Sequence, residues 1–273
     1  MSSHVDVNGI RIFVERRGSG PPLLFLNGSG QTLATVAPLI DVLAGRFEVL
    51  AHDQRGLGRT SIPPGPYTMA QYAGDALAVL DDAGWSSCRV LGISFGGMVA
   101  QELAVTWPDR VERLALACTS PGGPGGSSYP LHELADLPEE ERDARMVAVV
   151  DTRFTPEWLA AHPAERAVVD MLARRRLAAE GDTDPDRAAE RRRGERAQLE
   201  ARRHHDVLDR LGAIACPTLV ACGRYDGIAP PANSEAIVAR VPGAELRVYE
   251  GGHTFFLQDR AALPEILDFL AAE

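Results

Sequence analysis

Ser94 is the residue whose surroundings most favour covalent chemistry. It lies in "VLGISFGGMVAQ", residues 90–101, where an apolar run typical of a buried strand gives way to small residues typical of a helix. A Gly-x-Ser-x-Gly pentapeptide occurs by chance in many proteins, but a strand-to-helix turn at the serine is the context of a nucleophile elbow. Gly92 and Gly96 let the strand and the helix pack closely beside so sharp a turn. The pattern therefore predicts that Ser94 is a nucleophile.

A serine hydroxyl needs a neighbouring base, because it is a weak nucleophile at neutral pH. Of the seven histidines, His253 in "EGGHTFFL" is the best placed, since it follows the last predicted strand on a glycine loop. Asp226 in "GRYDGIAP" follows the preceding predicted strand and completes the chain order Ser, Asp, His. Sites of α/β proteins gather at these carboxyl ends of strands. We expect Asp226 to fix the tautomer of the imidazole and to stabilise the imidazolium.

Backbone N–H groups near Ser94 are candidates for binding a developing oxyanion. The N–H of Phe95 opens the predicted helix, where it faces the serine. A second donor is expected from the loop "LNGSGQ" after the first predicted parallel strand. There the N–H of Ser29 is preferred over that of Gly28, and a plain glycine turn is the alternative.

Alternating strands and helices would bring these residues together. "HVDV" and "IRIFVE" flank Asn8-Gly9, a pair typical of a β-hairpin turn. Apolar, strand-like runs then alternate with helical stretches, the first of which covers Leu33 to Ala44. The later strand-like runs are "FEVLAH", "CRVLGIS", "VERLALACTS", "PTLVACG" and "AELRVYE", and the last helices cover 232–240 and 263–270. This alternation predicts a parallel sheet.

Strand-like runs disappear between residues 122 and 205. Acidic and arginine clusters alternate there with short apolar groups. This composition predicts a helical insertion, the cap, in a core formed by residues 1–121 and 206–273. The arginine triplets at 174–176 and 191–193 are expected on solvated helix faces, with a clamp for an anionic substrate as the alternative.

Composition excludes several other chemistries. All 28 basic residues are arginine, so a Schiff-base lysine, a pyridoxal phosphate anchor and a P-loop lysine are absent. This exclusive use of arginine is typical of a GC-rich bacterial genome. The four cysteines contain no Cys-x-x-Cys pair and are expected to be buried, reduced thiols rather than disulfides or metal ligands.

Charge and hydropathy bear on partners and location. The formal net charge of -10 is unfavourable for binding nucleic acid or an anionic membrane surface. The first residues contain no apolar run like that of a signal peptide, and no window reaches the roughly 18 apolar residues that a membrane span needs. We therefore expect a cytoplasmic protein. The sequence leaves its oligomeric state open between a monomer and a homodimer.

Four motifs together resemble the α/β-hydrolase superfamily: "GISFGG", "DQRGLGRTS", "GRYDGIAP" and "GGHTFF". The resemblance covers the chain except the insertion and implies an α/β-hydrolase fold, with an eight-stranded, mostly parallel sheet flanked by helices and a cap over the site. It also implies a metal-free Ser-His-Asp mechanism without a cofactor. "NGSG" at 27–30 and "PPGPYT" at 63–68 look like the 3-oxoadipate enol-lactonase branch, whose members hydrolyse small lactones or esters. We therefore expect a serine esterase or lactonase acting on a small carboxylic ester or lactone.

Three alternatives remain open. A carbon-carbon bond hydrolase of vinylogous diketones would use the same triad and release two carbon fragments. A cofactor-free transferase or perhydrolase would replace water with another nucleophile, and a binding protein would keep the fold without turnover. The residues expected to contact the small-molecule substrate lie in the cap and in loops beside the site: Asn27, Tyr129, Trp158, His205 and Phe255.

Overall fold

The centre of the molecule is an eight-stranded sheet. The computed structural model describes residues 1–170 and 185–272. The strands are β1 (Ser2–Val7), β2 (Ile10–Arg17), β3 (Pro22–Leu26), β4 (Glu48–His52), β5 (Cys88–Ile93), β6 (Val111–Ala117), β7 (Thr218–Gly223) and β8 (Glu245–Tyr249). Their order is β1-β2-β4-β3-β5-β6-β7-β8, with β2 antiparallel to β1 and β4, and with parallel pairing from β4 to β8. This confirms the predicted eight-stranded, mostly parallel sheet.

The hairpin at the start of the sheet forms where the Asn-Gly pair predicts it. Asn8 and Gly9 have φ angles of +53° and +72°, as a type I′ turn requires at both central positions. Val7 pairs with Ile10 across the turn. The sheet therefore begins with antiparallel strands before the parallel part that carries the site.

Helices cover both faces of the sheet. They are α1 (Leu33–Ala44), α2 (Met69–Asp82), α3 (Phe95–Thr106), α4 (Leu131–Leu134), α5 (Glu139–Val150), α6 (Pro156–Ala161), α7 (163–170 in the described part), α8 (Pro185–Arg203), α9 (Pro231–Val238), α10 (Phe255–Gln258) and α11 (Ala262–Ala271). Apolar side chains of α2, α3 and α9 form one core, and those of α1, α10 and α11 form a second core on the opposite face. The inner strand β7 is buried along its whole length because both of its faces are covered.

Helices dominate the chain between β6 and β7. In its described part, this stretch contains α4 to α8 and one isolated antiparallel bridge between Gly122 and Asp206. The division into a core and a cap over 122–205 stays a prediction, and this bridge lies at the expected base of the cap. Arg192 and Arg193 are exposed, as expected for a solvated helix face. The triplet at 174–176 lies outside the described residues.

The loop after β4 packs against helix α8 of the cap. The guanidinium of Arg55 donates two hydrogen bonds of 2.8 Å to the carboxylate of Asp75 in α2, and both side chains are buried. Gly194 of α8 packs on this loop, with its Cα only 3.2 Å from the position that a Cβ at Gly56 would occupy. Glycine is therefore needed where the cap helix crosses the core.

The four cysteines are free thiols, and three of them are buried as predicted. Cys88, Cys118 and Cys222 are buried, and Cys216 is half-buried. Burial raises the pKa of Cys88 to about 12, so this thiol stays protonated at neutral pH. In the part of the chain that the structure describes, no helix combines the length and the apolar character needed to cross a membrane.

Candidate active site

Ser94 lies on a strained turn between β5 and α3. Its φ of +54° is in the left-handed region that residues with a side chain rarely adopt. A Cβ at Gly92 would lie 2.6 Å from the carbonyl oxygen of Gly96, and a Cβ at Gly96 would collide with the carbonyl oxygen of Leu26. The hydroxyl of Thr119 donates to the carbonyl oxygen of Ser94 over 2.8 Å. The turn is therefore the one that the pentapeptide predicts, and the glycines are there because strand and helix approach so closely.

Ser94, His253 and Asp226 form one hydrogen-bonded chain. Nε2 of His253 is 2.9 Å from Oγ of Ser94, and Nδ1 of His253 is 2.8 Å from Oδ2 of Asp226. The three residues follow β5, β8 and β7, so the carboxyl edge of the sheet brings them together. These are the contacts that a nucleophile makes with a base and a base with its orienting carboxylate.

Backbone groups fix the carboxylate of Asp226. Its Oδ1 accepts hydrogen bonds from the N–H groups of Ile228 and Ala229, at 2.8 and 2.9 Å. The side chain is buried, and Oδ2 is left facing the imidazole. Within residues 1–170 and 185–272, no cluster of three or more His, Cys, Asp or Glu side chains could hold a metal ion.

A short segment of the cap, residues 149–151, forms hydrogen bonds to the loops that carry Asp226 and His253. The carbonyl oxygen of Val149 accepts from the N–H of Gly227 at 3.0 Å, and that of Val150 accepts from the N–H of His253 at 2.6 Å. A Cβ at Gly227 would lie 2.7 Å from the carbonyl oxygen of Val149, and a Cβ at Gly252 would collide with that of Val150. The cap backbone is thus bonded both to the loop of Asp226 and to the main chain of His253.

The side chain of Asp151 adds contacts to the loop of His253. It is fully buried, and its Oδ2 accepts from Nε2 of Gln258 at 2.9 Å, while Oε1 of Gln258 accepts from the N–H of Gly252 at 2.9 Å. Arg153 donates to both carboxylate oxygens, and its guanidinium lies 4.0 Å from the centroid of the Tyr225 ring. The sequence alone does not reveal this contact of Asp151, because Gln258 is 107 residues further along the chain and no local pattern links them.

The loop after β3 lies against Ser94. A Cβ at Gly28 would be 3.6 Å from the Cβ of Ser94, so this loop passes beside the serine. Phe95 is the first residue of α3, where a backbone N–H has no intrahelical acceptor. Ser29 follows Gly28 in the same loop. The structure therefore brings the loop with the second predicted donor to the serine, and the donor roles stay predictions.

Asn27 and Tyr129 lie in loops beside the site. The amide nitrogen of Asn27 donates to the carbonyl oxygen of Gln31, and its amide oxygen accepts from Nε2 of Gln54. The N–H of Tyr129 donates to the carbonyl oxygen of Ile228 over 2.8 Å. The side chain of Asn27 therefore shapes its own loop, and substrate contact by either residue stays a prediction.

Trp158 and Phe255 make packing contacts. The Trp158 ring stacks on His162 with 3.8 Å between the centroids, inside the cap. Phe255 is fully buried and stacks on Tyr249 in the core of α1, α10 and α11. The predicted substrate contact is not available to Phe255, because a ring without exposed surface does not reach a ligand.

Helix α8 joins the cap to the site through one buried stripe. Its buried residues are Gly194, Gln198, Ala201 and Arg202, at the spacing of one helix face. Oε1 of Gln198 accepts from the N–H of Gly30 at 2.8 Å. The helix is therefore bonded to the loop that carries the predicted oxyanion donors.

Arg202 and His205 line a cavity of about 210 Å³ beside α3. Burial, together with the positive charges of Arg210 and Arg202, lowers the pKa of His205 to about 3, so this imidazole is neutral at neutral pH. Burial lowers the pKa of Arg202 to about 10, which leaves the guanidinium charged. The sequence analysis named His205 and missed Arg202, because nothing distinguishes it locally from the other arginines of the insertion.

Comparisons with known proteins agree with this architecture. The family described as alpha/beta hydrolase fold matches residues 21–260. The chain is 29% identical to a poly(3-hydroxyalkanoate) depolymerase of Ectopseudomonas oleovorans, over 92% of this chain and 85% of that protein. It is 28% identical to 3-oxoadipate enol-lactonase 2 of Acinetobacter baylyi, over 85% of this chain and 82% of that protein. The enol-lactonase from Burkholderia xenovorans LB400 has a crystal structure that superposes with a TM-score of 0.79 at 26% identity, covering 99% of this chain and 100% of that one. The chain therefore belongs to the α/β-hydrolase family.

Proposed function

We propose that this protein is a serine hydrolase that cleaves small carboxylic esters or lactones. Ser94 is the nucleophile, His253 is the general base and then the general acid, and Asp226 orients the base. The observation that carries the proposal is the unbroken hydrogen-bond chain from Oγ of Ser94 through both nitrogens of His253 to Asp226.

The first half-reaction acylates the serine. Oγ of Ser94 attacks the carbonyl carbon while its proton passes to Nε2 of His253, and Nδ1–H of the imidazolium donates to the ionised Asp226. The carbonyl oxygen becomes an oxyanion. When this tetrahedral intermediate collapses, the bond to the alkoxide breaks and the alkoxide takes the proton from Nε2. In a lactone, the alcohol formed in this way stays attached to the acyl group.

The second half-reaction regenerates the enzyme. Nε2 of His253 takes a proton from water, whose oxygen attacks the acyl carbon and forms a second tetrahedral intermediate. The bond from carbon to Oγ of Ser94 then breaks, and Oγ recovers the proton from Nε2. The product is a carboxylic acid, and Asp226 stays ionised throughout.

Backbone donors at two loops stabilise both oxyanions. The N–H groups of Phe95 and Ser29 bind the oxygen, with Gly28 as the second choice in the loop after β3. The positive end of the α3 dipole adds to the effect, because Phe95 opens this helix. Two of the similar proteins are named as enol-lactonases, and a lactone is an intramolecular ester. This supports a substrate with an ester bond.

Turnover of a panel of aryl esters and small lactones tests the proposal. Wild-type protein should release an acid and an alcohol, and Ser94→Ala should lower kcat/KM by at least ~10⁴-fold. Ser87→Ala is a control, since this exposed serine bonds Glu112 at the opposite end of β5. Ester turnover by Ser94→Ala within tenfold of wild type would refute the role of Ser94. Release of two carbon fragments from a vinylogous diketone, with no ester turnover, would favour the carbon-carbon bond hydrolase.

A further inference from the structure

Arg202 is a buried cation that forms no ion pair with a carboxylate of the described residues. The residue is 5% exposed, and its Nη1 donates to the carbonyl oxygen of Tyr129 at 2.7 Å. Nε is buried and has no hydrogen-bond partner among the described residues. No described carboxylate lies within ion-pair distance of the guanidinium. The edge formed by Nε and Nη2, which fits the two oxygens of a carboxylate, therefore has no hydrogen-bond partner among the described residues.

Arg55 shows how this molecule buries an arginine for structural reasons. Its guanidinium is as buried as that of Arg202, but Nε and Nη2 both donate to Asp75 at 2.8 Å. A buried charge without such a partner is costly, because it loses its hydration. Arg202 therefore carries an unmet requirement for an anion that Arg55 does not have.

The cavity that Arg202 lines contains basic side chains and serine hydroxyl groups. Arg203, His132 and His205 line it together with three serines, and no acidic residue of the described chain does so. The side chain of Arg203 is 54% exposed and lies 3.6 Å from Glu200, so solvent and a carboxylate already balance its charge. Arg202 is thus the cation in this cavity whose charge is buried and has no ion pair with a described residue, although the charge of Asp226 acts on it from a longer distance.

The cavity lies next to the candidate active site. It is lined by Met98, one turn of α3 after Ser94, and by Ser120, which follows the threonine bonded to the Ser94 carbonyl oxygen. One helical turn rises by about 5.4 Å. Tyr129, which binds Arg202, also donates to Ile228 in the loop of Asp226. The cavity is therefore lined by residues of the elements and loops that also carry or contact Ser94 and Asp226.

We infer that Arg202 binds a carboxylate on the acyl side of the substrate, so that the preferred substrates are esters or lactones that carry a free carboxylate. This inference rests on the proposed function. The Nε and Nη2 edge of Arg202 holds the carboxylate, and the neutral His205 lies in the same wall. The carboxylate neutralises the buried charge, which neutral substrates leave without a partner.

Two aryl esters with acyl chains of equal length test the inference. The 4-nitrophenyl monoester of glutaric acid carries the carboxylate, and 4-nitrophenyl valerate does not. Arg202→Met should lower the ratio of their kcat/KM values by about 30-fold or more, mainly through KM of the glutarate ester. Arg203→Met removes the neighbouring charge and should change the ratio less than about twofold, because that charge is exposed. A ratio that falls equally in both variants, or in neither, would overturn the assignment.

A binding measurement separates this inference from the proposed function and does not depend on the folding of Arg202→Met. Calorimetric titration of Ser94→Ala should show glutarate binding at least about tenfold more tightly than the neutral glutaramide. Equal affinities, or no binding of glutarate, would refute the carboxylate site. If wild type hydrolyses neither ester but glutarate still binds selectively, the proposed function fails and the anion site stands.

Discussion

The core and the cap contribute to the candidate site in different ways, the core through side chains and the cap through main-chain oxygens. The core supplies Ser94, His253 and Asp226 from three strand ends, and their side chains bond to each other. The cap supplies the main-chain oxygens of residues 149 and 150, which hold the loops of the acid and the base. In the proposed mechanism, bonds are made and broken by core residues, while the cap positions them. Substitutions on the two sides should therefore differ in the size of their effect on catalysis.

The largest expected effect in this comparison is on the core side. Asp226→Asn should lower kcat by about 10³- to 10⁴-fold, because an amide at this position no longer selects the Nδ1–H tautomer of His253. The variant should fold, since the amide oxygen can still accept from Ile228 and Ala229. Steady-state kinetics on an aryl ester, with thermal unfolding as the check, measure this. Near-normal turnover would mean that another carboxylate orients the base.

A smaller effect is expected from the cap side. Asp151→Asn weakens the contacts through Gln258 and Gly252 that hold the loop of His253. A small displacement of the base should lower kcat by about 10- to 100-fold while KM changes little. Asp136→Asn is the matched control, because this exposed cap aspartate bonds Arg196 away from the triad. Equal effects of the two substitutions on kcat would show that the contacts of Asp151 do not position His253.

Residues of this site that are marked by local sequence patterns could be predicted, and residues that depend on contacts far along the chain could not. The hydrogen-bonded chain of Ser94, His253 and Asp226 could be predicted because each residue follows an apolar strand and lies in a glycine-containing turn. Helix α1 begins at Leu33 and ends at Ala44, where its apolar spacing predicts. These signals need only a few neighbouring residues.

The cap lacked such signals. Helix α8 is so polar that only four of its 19 residues are buried, which is too weak a periodicity to predict its ends. Asp151 and Arg202 are ordinary charged residues in the sequence, and their burial depends on partners more than 70 residues away. The position of Phe255 in a loop next to the expected site predicts substrate contact, but α10 turns its ring into the core.

The smallest expected effect is on the free energy of unfolding at acid pH. It comes from two buried histidines, His52 in the core and His205 at the end of the cap. Burial lowers the pKa of His52 to about 4 and that of His205 to about 3. The unfolded chain binds more protons below its ordinary histidine pKa of about 6.5, so stability should fall as the pH falls from about 6.5 to 4. Each histidine contributes up to about 1.4 kcal/mol per pH unit.

Chemical unfolding at several pH values measures this slope. His52→Gln and His205→Gln should each make it shallower by up to about 1.4 kcal/mol per pH unit, since each removes one titrating group. His204→Gln is the matched control, because it replaces the exposed histidine next to His205. If His205→Gln and His204→Gln gave the same slope, the buried imidazole would not be the source of acid sensitivity.

Intact-mass analysis after reaction with a fluorophosphonate tests the central claim most directly, because only an activated serine is phosphonylated at an appreciable rate. The account predicts one adduct per wild-type chain, slower labelling of Asp226→Asn, and no adduct on folded Ser94→Ala. An adduct of equal stoichiometry on Ser94→Ala, or none on folded wild-type protein, would contradict the assignment of Ser94 as the nucleophile.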